Sequence, residues 1–224
     1  MTTTLYHGSP NIISNPVFGV GNPRNDYGLG FYCTENIDLA KEWACSSDTD
    51  GFANEYLLNW EGIAVCDLGK GHNILNWMAV LVENRTFDLS SAMARSARDY
   101  LLDNFLPDYK SADIVRGYRA DDSYFTFAKD FLNNTIPLEK LSEAMHLGKL
   151  GEQIVLRSEK AFQAISFVNA YRTDNKIYYP KRIIRDRNAR AEYHDNRNSF
   201  NPLKSTFMID IIRDKWQNDD ERLQ

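Results

Sequence analysis

Two kinds of periodicity alternate along this chain, and their order constrains the fold more than any other feature. Strand-like runs sit near both ends: Thr3–His7, Gly30–Thr34, Phe52–Trp60 and Ile63–Leu68 early, then Asp113–Tyr118, Gln153–Arg157 and Ile165–Tyr171. Between them, Asn73–Asn84 and Ser90–Phe105 carry apolar residues at three- and four-residue spacing, the helical period. Strands grouped around a helical middle point to an α+β domain with a helical insertion between about Asn73 and Tyr109.

The punctuation agrees. Pro16, Gly19, Gly21, Asn22-Pro23 and Asn25-Asp26 break any period between Asn11 and Asp26. Asn36 or Asp38 caps a helix running through Ser46, with Ile37, Ala40, Trp43 and Ala44 on one face. Glu61-Gly62 reads as the turn of a hairpin joining Phe52–Trp60 to Ile63–Leu68. Asp121 or Asp122 caps a helix to about Asn133, and Pro137–His146 reads as another. Gly148 and Gly151 bracket the turn into the late strand, Glu159–Ala164 is a short helix or turn, and Phe207–Trp216 a terminal helix.

A chain of 224 residues that is 43% hydrophobic suits one globular domain and excludes a disordered chain. We divide it into a core, residues 1–171, and a C-terminal basic segment and helix, residues 172–224, packed on the same domain. Between Arg172 and Arg197 the basic residues alternate with Tyr178, Tyr179 and Tyr193, a pattern that can stack on nucleic acid. Asp174, Asp186, Glu192 and Asp195 dilute that charge and favour a solvated surface. The net charge of −5 argues against a nucleic-acid coat.

The first residues lack the basic and apolar regions of a signal peptide, and no apolar run approaches the roughly 18 residues of a membrane span. Cys33, Cys45 and Cys66 show no metal or redox spacing and read as buried fillers of a reduced, cytoplasmic protein. The four histidines have no metal-ligand spacing, so no metal is expected. No phosphate-binding GxxxxGK[ST] loop is present, and the paired glycines lack the context of a dinucleotide-binding βαβ unit.

Two short segments carry the chemistry: Tyr6-His7-Gly8-Ser9, and Gly28-Leu29-Gly30-Phe31-Tyr32-Cys33-Thr34 with Trp43 eleven residues after Tyr32. A late run, Glu152-Gln153-Ile154-Val155, follows. A strand-end His can bond a ribose hydroxyl, and a Gly after it lets backbone amides approach a carboxamide. An aromatic ring can stack on nicotinamide, and a carboxylate can offset positive charge developing on a ribose. In this order the segments resemble the ADP-ribosyltransferases of the His-Tyr-Glu class, whose poly(ADP-ribose) polymerase members carry W/Y-H-G-S, G-x-G-I-Y-F-A, a second ring at the same offset and E-x-I-V.

The resemblance implies a split, mostly antiparallel β-core of two small sheets around an NAD cleft. It implies catalytic roles for His7, Tyr32 and Glu152, and NAD contacts from Tyr6, His7, Gly8, Ser9, Gly30, Phe31, Tyr32, Trp43 and Gln153. Tyr32 and Trp43 would sandwich the nicotinamide. Ala40 stands where the polymerases place a small hydroxyl residue. Side chains alternate along a strand, so either Glu152 or Gln153 faces the cleft; if Gln153 does, Glu152 points away and the cleft loses its carboxylate. Arg119, Asp122 and Tyr124 are candidate acceptor or phosphate contacts, with an Asp N-cap paired to Arg119 as the plainer reading.

The chain also resembles a narrower bacterial family through Asn25–Tyr32, Arg119–Phe125, Leu147–Gln153 and Ser158–Phe162, which implies a toxin–antitoxin or anti-phage role with an antitoxin protein as partner. The expected activity is mono-ADP-ribosyl transfer from NAD, as substrate, to a protein or nucleic-acid acceptor, releasing nicotinamide. The alternatives are an NAD glycohydrolase and a non-enzymatic module binding NAD, ADP-ribose or a partner on the same scaffold. An RNA 2′-phosphotransferase would need basic phosphate clamps, and the His7 and Tyr32 pattern speaks against it.

Overall fold

The computed structural model describes residues 1–119, 122–144 and 151–223. Seven strands form two sheets. The first takes β1 (Thr2–Ser9), β3 (Gly51–Asn59) and β7 (Ile165–Thr173) in the order β1-β3-β7, all antiparallel. The second has the order β2-β6-β5-β4, from β2 (Phe31–Cys33), β6 (Glu152–Leu156), β5 (Ile114–Tyr118) and β4 (Val65–Asp67). Its pairs are antiparallel except β4 with β5. Among the described residues the sheets meet at a single bridge, where Tyr6 N donates to Thr34 O at 2.8 Å and Thr34 N to Tyr6 O at 2.9 Å.

The expected hairpin over residues 52–68 does not form. β3 stays in the first sheet, whereas β4 crosses to the second and lies parallel to β5. The turn at Glu61-Gly62 is real, with Gly62 at φ 70°. Just beyond it, Asp113 takes hold of the chain. Its N–H and that of Ile114 donate to the Ala64 carbonyl, and the Asp113 carboxylate accepts from Ala64 N at 2.9 Å. Strand length and turn chemistry were readable locally; the distant partner that captures residue 64 was not.

Period-2 alternation sorts β6 between two cores. Ile154 and Leu156 join Leu5, Phe31, Tyr56 and Ile114 in the core between the sheets. Val155 faces the helical core. The heart of that core is α2 (Ile74–Asn84), whose residues 75–82 are all buried; Asn73 and Asn76 close a capping box at its start. α3 (Ala92–Phe105), capped by Ser91, packs its Ala94, Ala97, Leu101 and Phe105 stripe there. α4 (Asp122–Leu132), α5 (Leu138–Ala144) and the short α6 (Glu159–Gln163) follow.

The basic segment is not a loop. It forms α7 (Asn175–Asn196), capped by Asp174 and carrying Pro180 inside it. Proline removes a backbone donor and breaks the sequence signal for a helix, and packing overrides it. Ala189 and Tyr193 are buried, and the Tyr193 hydroxyl donates to Asp130 at 2.6 Å. α8 (Met208–Arg213) adds Met208 and Ile211 to the helical core, beside Trp216. Among the described residues no helix is long and apolar enough to cross a membrane.

α1 (Ile37–Ala44) starts where Asn36 accepts from the Asp38 and Leu39 amides. It lies hard against the first sheet, because two strand glycines leave room for its backbone. A Cβ at Gly8 would fall 2.1 Å from the Ala40 carbonyl oxygen, and one at Gly51 2.0 Å from that of Ala44. Gly8→Ala must therefore push α1 off β1. We expect a loss of about 1–3 kcal/mol of stability, the usual cost of overpacking, read as a lower urea midpoint at unchanged m-value.

Candidate active site

The bridge between the sheets fixes His7 beside Tyr32. The His7 Nδ1 lies 2.7 Å from the Tyr32 carbonyl oxygen. A carbonyl only accepts, so Nδ1 carries the proton and Nε2 keeps its lone pair. Behind the imidazole, Phe31 stacks at 4.3 Å and 30°. Burial holds His7 below its ordinary pKa, the Tyr32 bond opposes this, and the nearby Arg119 charge adds to the lowering. The ring is a neutral acceptor.

Tyr32 is equally fixed. Its hydroxyl donates to Gly28 O at 2.6 Å and accepts from Tyr27 N at 3.1 Å, closing the turn before β2. Gly28 sits there at φ 75°, a conformation that only glycine adopts freely. Burial pushes the Tyr32 phenol well up, so it stays protonated. Its hydroxyl serves the turn.

His7, Gly8, Tyr32, Trp43, Arg119 and Gln153 line one cavity of about 120 Å³, with Tyr6 and Ala40 also on its wall. The structure thus brings together residues from β1, β2, α1, β6 and the end of β5. The need for glycine at position 8 comes from α1 rather than from a ligand. Ser9 lies outside the lining and accepts from Asn11 N, shaping the chain after β1. Gly30 lies against Val155 and Leu156, and Phe31 is core behind His7. Asp122 and Tyr124 have side chains outside the described residues, as has Asp121 altogether.

Strand alternation separates Glu152 from Gln153. Gln153 is the one on the wall with His7 and Tyr32, and its Nε2 donates to the buried Asp26 carboxylate at 3.0 Å. The other Asp26 oxygen lies 3.5 Å from Arg85 Nε. Glu152 opens instead onto an adjoining cavity of about 570 Å³, beside Arg116, Glu35 and Asn36. Thr34 borders both spaces. Arg116 Nε and Nη2 each approach one Glu152 oxygen at 2.5 Å, and Nη2 lies 3.8 Å from Glu35.

Sequence reasoning missed Asp26, Arg116 and Arg182. Asp26 stood inside the Asn25–Tyr32 run, but read as a loop breaker. Arg116 lies two residues after Ile114 on β5 and so shares its strand face, which does not say which residue lies across. Arg182 reaches Trp43 only because α7 folds back over α1. Cys33 is buried and its thiol pushed well up, so it is no nucleophile. Among the described residues no group of three or more His, Cys, Asp or Glu side chains is placed to hold a metal ion.

Comparison with known proteins gives a family without an assigned activity. No curated protein and no solved structure matches the chain. One family model does, over residues 3–167, from the start of β1 into β7 and across every residue that lines the small cavity. The chain therefore belongs to the family described as protein of unknown function DUF3990.

Proposed function

We propose that the protein is an NAD-dependent ADP-ribosyltransferase, transferring ADP-ribose to a macromolecular acceptor with release of nicotinamide. The observation that carries this reading is the convergence of His7, Tyr32 and Trp43 on one cavity, with Glu152 in the space next to it. His7, Tyr32 and Trp43, far apart in the chain, lie on one cavity as the resemblance calls for, whereas Glu152 stands on the strand face opposite Gln153 and borders the adjoining space. Two sheets that, among the described residues, are bridged only at Tyr6 and Thr34, with the cavity at that junction, also agree with a split transferase core.

The residues fit NAD by their chemistry. The unprotonated His7 Nε2 accepts from a ribose hydroxyl and Tyr32 offers aromatic surface to the nicotinamide, beside Trp43, whose ring is stacked by Arg119 and Arg182. Glu152 then lies on the acceptor side. As the bond from ribose to nicotinamide breaks, its electron pair leaves with nicotinamide, and the carboxylate offsets the positive charge left on the sugar. Arg116 anchors that carboxylate through Nε and Nη2 on one oxygen, leaving the second oxygen for a sugar hydroxyl. The 570 Å³ space beside Glu152 gives an acceptor group room to approach, which favours transfer over hydrolysis.

The test is nicotinamide release and label transfer from ³²P-NAD in cell lysate. We expect label on protein or nucleic acid with the wild type. Glu152→Gln should lower transfer by roughly 10²-fold or more, the scale for removing one electrostatic stabiliser, with the thermal melt unchanged. Release without transfer would instead indicate a glycohydrolase. NAD binding without release would leave a binding module.

His7 also sets a pH dependence. Protonation at Nε2 destroys the acceptor, and the His7 pKa lies below the ordinary 6.5. NAD affinity should hold on the alkaline side of 6.5 and fall with pH only as the solution passes through that lowered value. A titration at pH 7.5, 6.5 and 5.0 checks this. A loss centred above 6.5 would remove His7 from the role.

A further inference from the structure

The side-chain amide of Gln153 is held in one direction. Its Nε2 donates to Asp26 Oδ2 at 3.0 Å. A carboxylate only accepts, so the amide nitrogen faces Asp26 and the carbonyl oxygen faces away from it. That oxygen has no hydrogen-bond donor among the described residues. Nor is it sealed in protein, since the buried polar atoms left without a partner there are Arg157 Nε, Arg197 Nε and Trp216 Nε1. Gln153 is 5% exposed and lines the small cavity, so the open edge of its amide is the cavity side. A nearly buried acceptor with nothing to accept from calls for a ligand.

Asp26 is itself fixed. It lies inside the turn Asn25–Gly28, closed by Gly28 N donating to Asn25 O at 2.9 Å, and it is buried. Its other oxygen, Oδ1, lies 3.5 Å from Arg85 Nε. A guanidinium only donates. The three groups therefore form a relay of fixed polarity. Arg85 faces Oδ1, Oδ2 accepts from Gln153, and the Gln153 carbonyl is left for the cavity.

Burying a carboxylate costs free energy. A bond that merely tied β6 to the turn could be made by an uncharged amide at position 26, because two amides pair in either direction. Such a pair would leave Gln153 able to turn round. The carboxylate has no donor to offer, and that is what forbids the second direction. Among the described residues nothing else depends on which way the Gln153 amide points. The direction matters to whatever occupies the cavity.

We propose that Asp26 is a positioning residue that turns the Gln153 carbonyl oxygen into the cavity, so that this wall accepts from the N–H edge of a primary carboxamide and disfavours a carboxylate in its place. This rests on the NAD reading above, in which the carboxamide is that of nicotinamide, and it assigns a residue outside the His-Tyr-Glu resemblance. The cavity of about 120 Å³ is well below the roughly 300 Å³ at which pockets for whole small molecules begin, so it takes one end of a ligand. Asp26→Asn inverts the relay. Arg85 keeps the new amide's oxygen on its own side, the new nitrogen donates to Gln153, and Gln153 turns its own N–H groups into the cavity.

The experiment is calorimetric titration with nicotinamide and with nicotinate, the same ring bearing a carboxylate. The proteins are the wild type, Asp26→Asn, Gln153→Met and the double variant, and each is also assayed for nicotinamide release from NAD. Asp26→Asn should lower the ratio of nicotinamide to nicotinate affinity by roughly tenfold or more, the scale for exchanging a hydrogen bond for two opposed donors. Loss of the Asp26 charge by itself also favours an anion, and the Gln153→Met background measures that part. There the same substitution should move the ratio by about twofold or less. An unchanged ratio in Asp26→Asn, an equal shift in both backgrounds, or wild-type binding of neither ring overturns the proposal. Should Asp26→Asn fail to melt cooperatively, Gln153→Met decides alone. It must weaken nicotinamide by roughly fivefold or more and nicotinate not at all, and equal losses overturn the proposal. The expected ratios without nicotinamide release would keep the relay and reject transfer. Unchanged ratios alongside Glu152-dependent label transfer would do the reverse.

Discussion

Two backbone hydrogen bonds between Tyr6 and Thr34 hold the whole arrangement together. They are the only strand-to-strand bridge between the two sheets among the described residues, and they sit beside His7 and Tyr32. The small cavity lies at this junction, with Tyr6 and Thr34 themselves on its wall. The same bridge sets the His7 tautomer. With the two strands at this register, the Tyr32 carbonyl meets Nδ1 and leaves Nε2 as the acceptor. A slip by one residue would turn His7 to the other face of its strand.

The second constraint is the close seat of α1. Gly8 and Gly51 have no side chain to keep the helix away, so Trp43 is brought to the cavity and Glu42 is buried. A buried carboxylate needs a partner, and α7 supplies Arg185. The C-terminal segment is thus bound to the cavity wall through two successive residues of α1. Arg185 answers the charge of Glu42, and Arg182 covers the ring of Trp43. What reads as a solvated basic stretch packs, through Arg182 and Arg185, against α1, while Ile177, Ile183 and Ile184 stay exposed.

Much of the local structure was legible. Asn36, Asn73 and Ser91 are helix caps whose side-chain oxygens accept the first free amides, a chemistry that depends on neighbours within three residues. The alternation in Glu152–Leu156 showed that Glu152 and Gln153 lie on opposite faces. It did not say which face was which, since that depends on the strands packed on either side. The hairpin over residues 52–68 failed for the same reason. Its turn was locally sound, but a carbonyl at Ala64 was taken by Asp113 and Ile114, nearly fifty residues on.

The amino-acid sequence by itself determined the α+β class, most of the element positions, and the set of candidate residues, His7, Tyr32, Trp43 and Glu152 among them. Those properties come from period, capping and side-chain type, which act over a few residues. Only the tertiary structure decided that Gln153 shares the cavity with His7, that Glu152 opens onto the larger space with Arg116, and that Arg119 and Arg182 enclose Trp43. Each of these depends on long-range packing: which strand lies beside β6, how closely α1 approaches two glycines, and where α7 folds back. No local pattern encodes those distances, because they are set by the joint fit of elements from both ends of the chain.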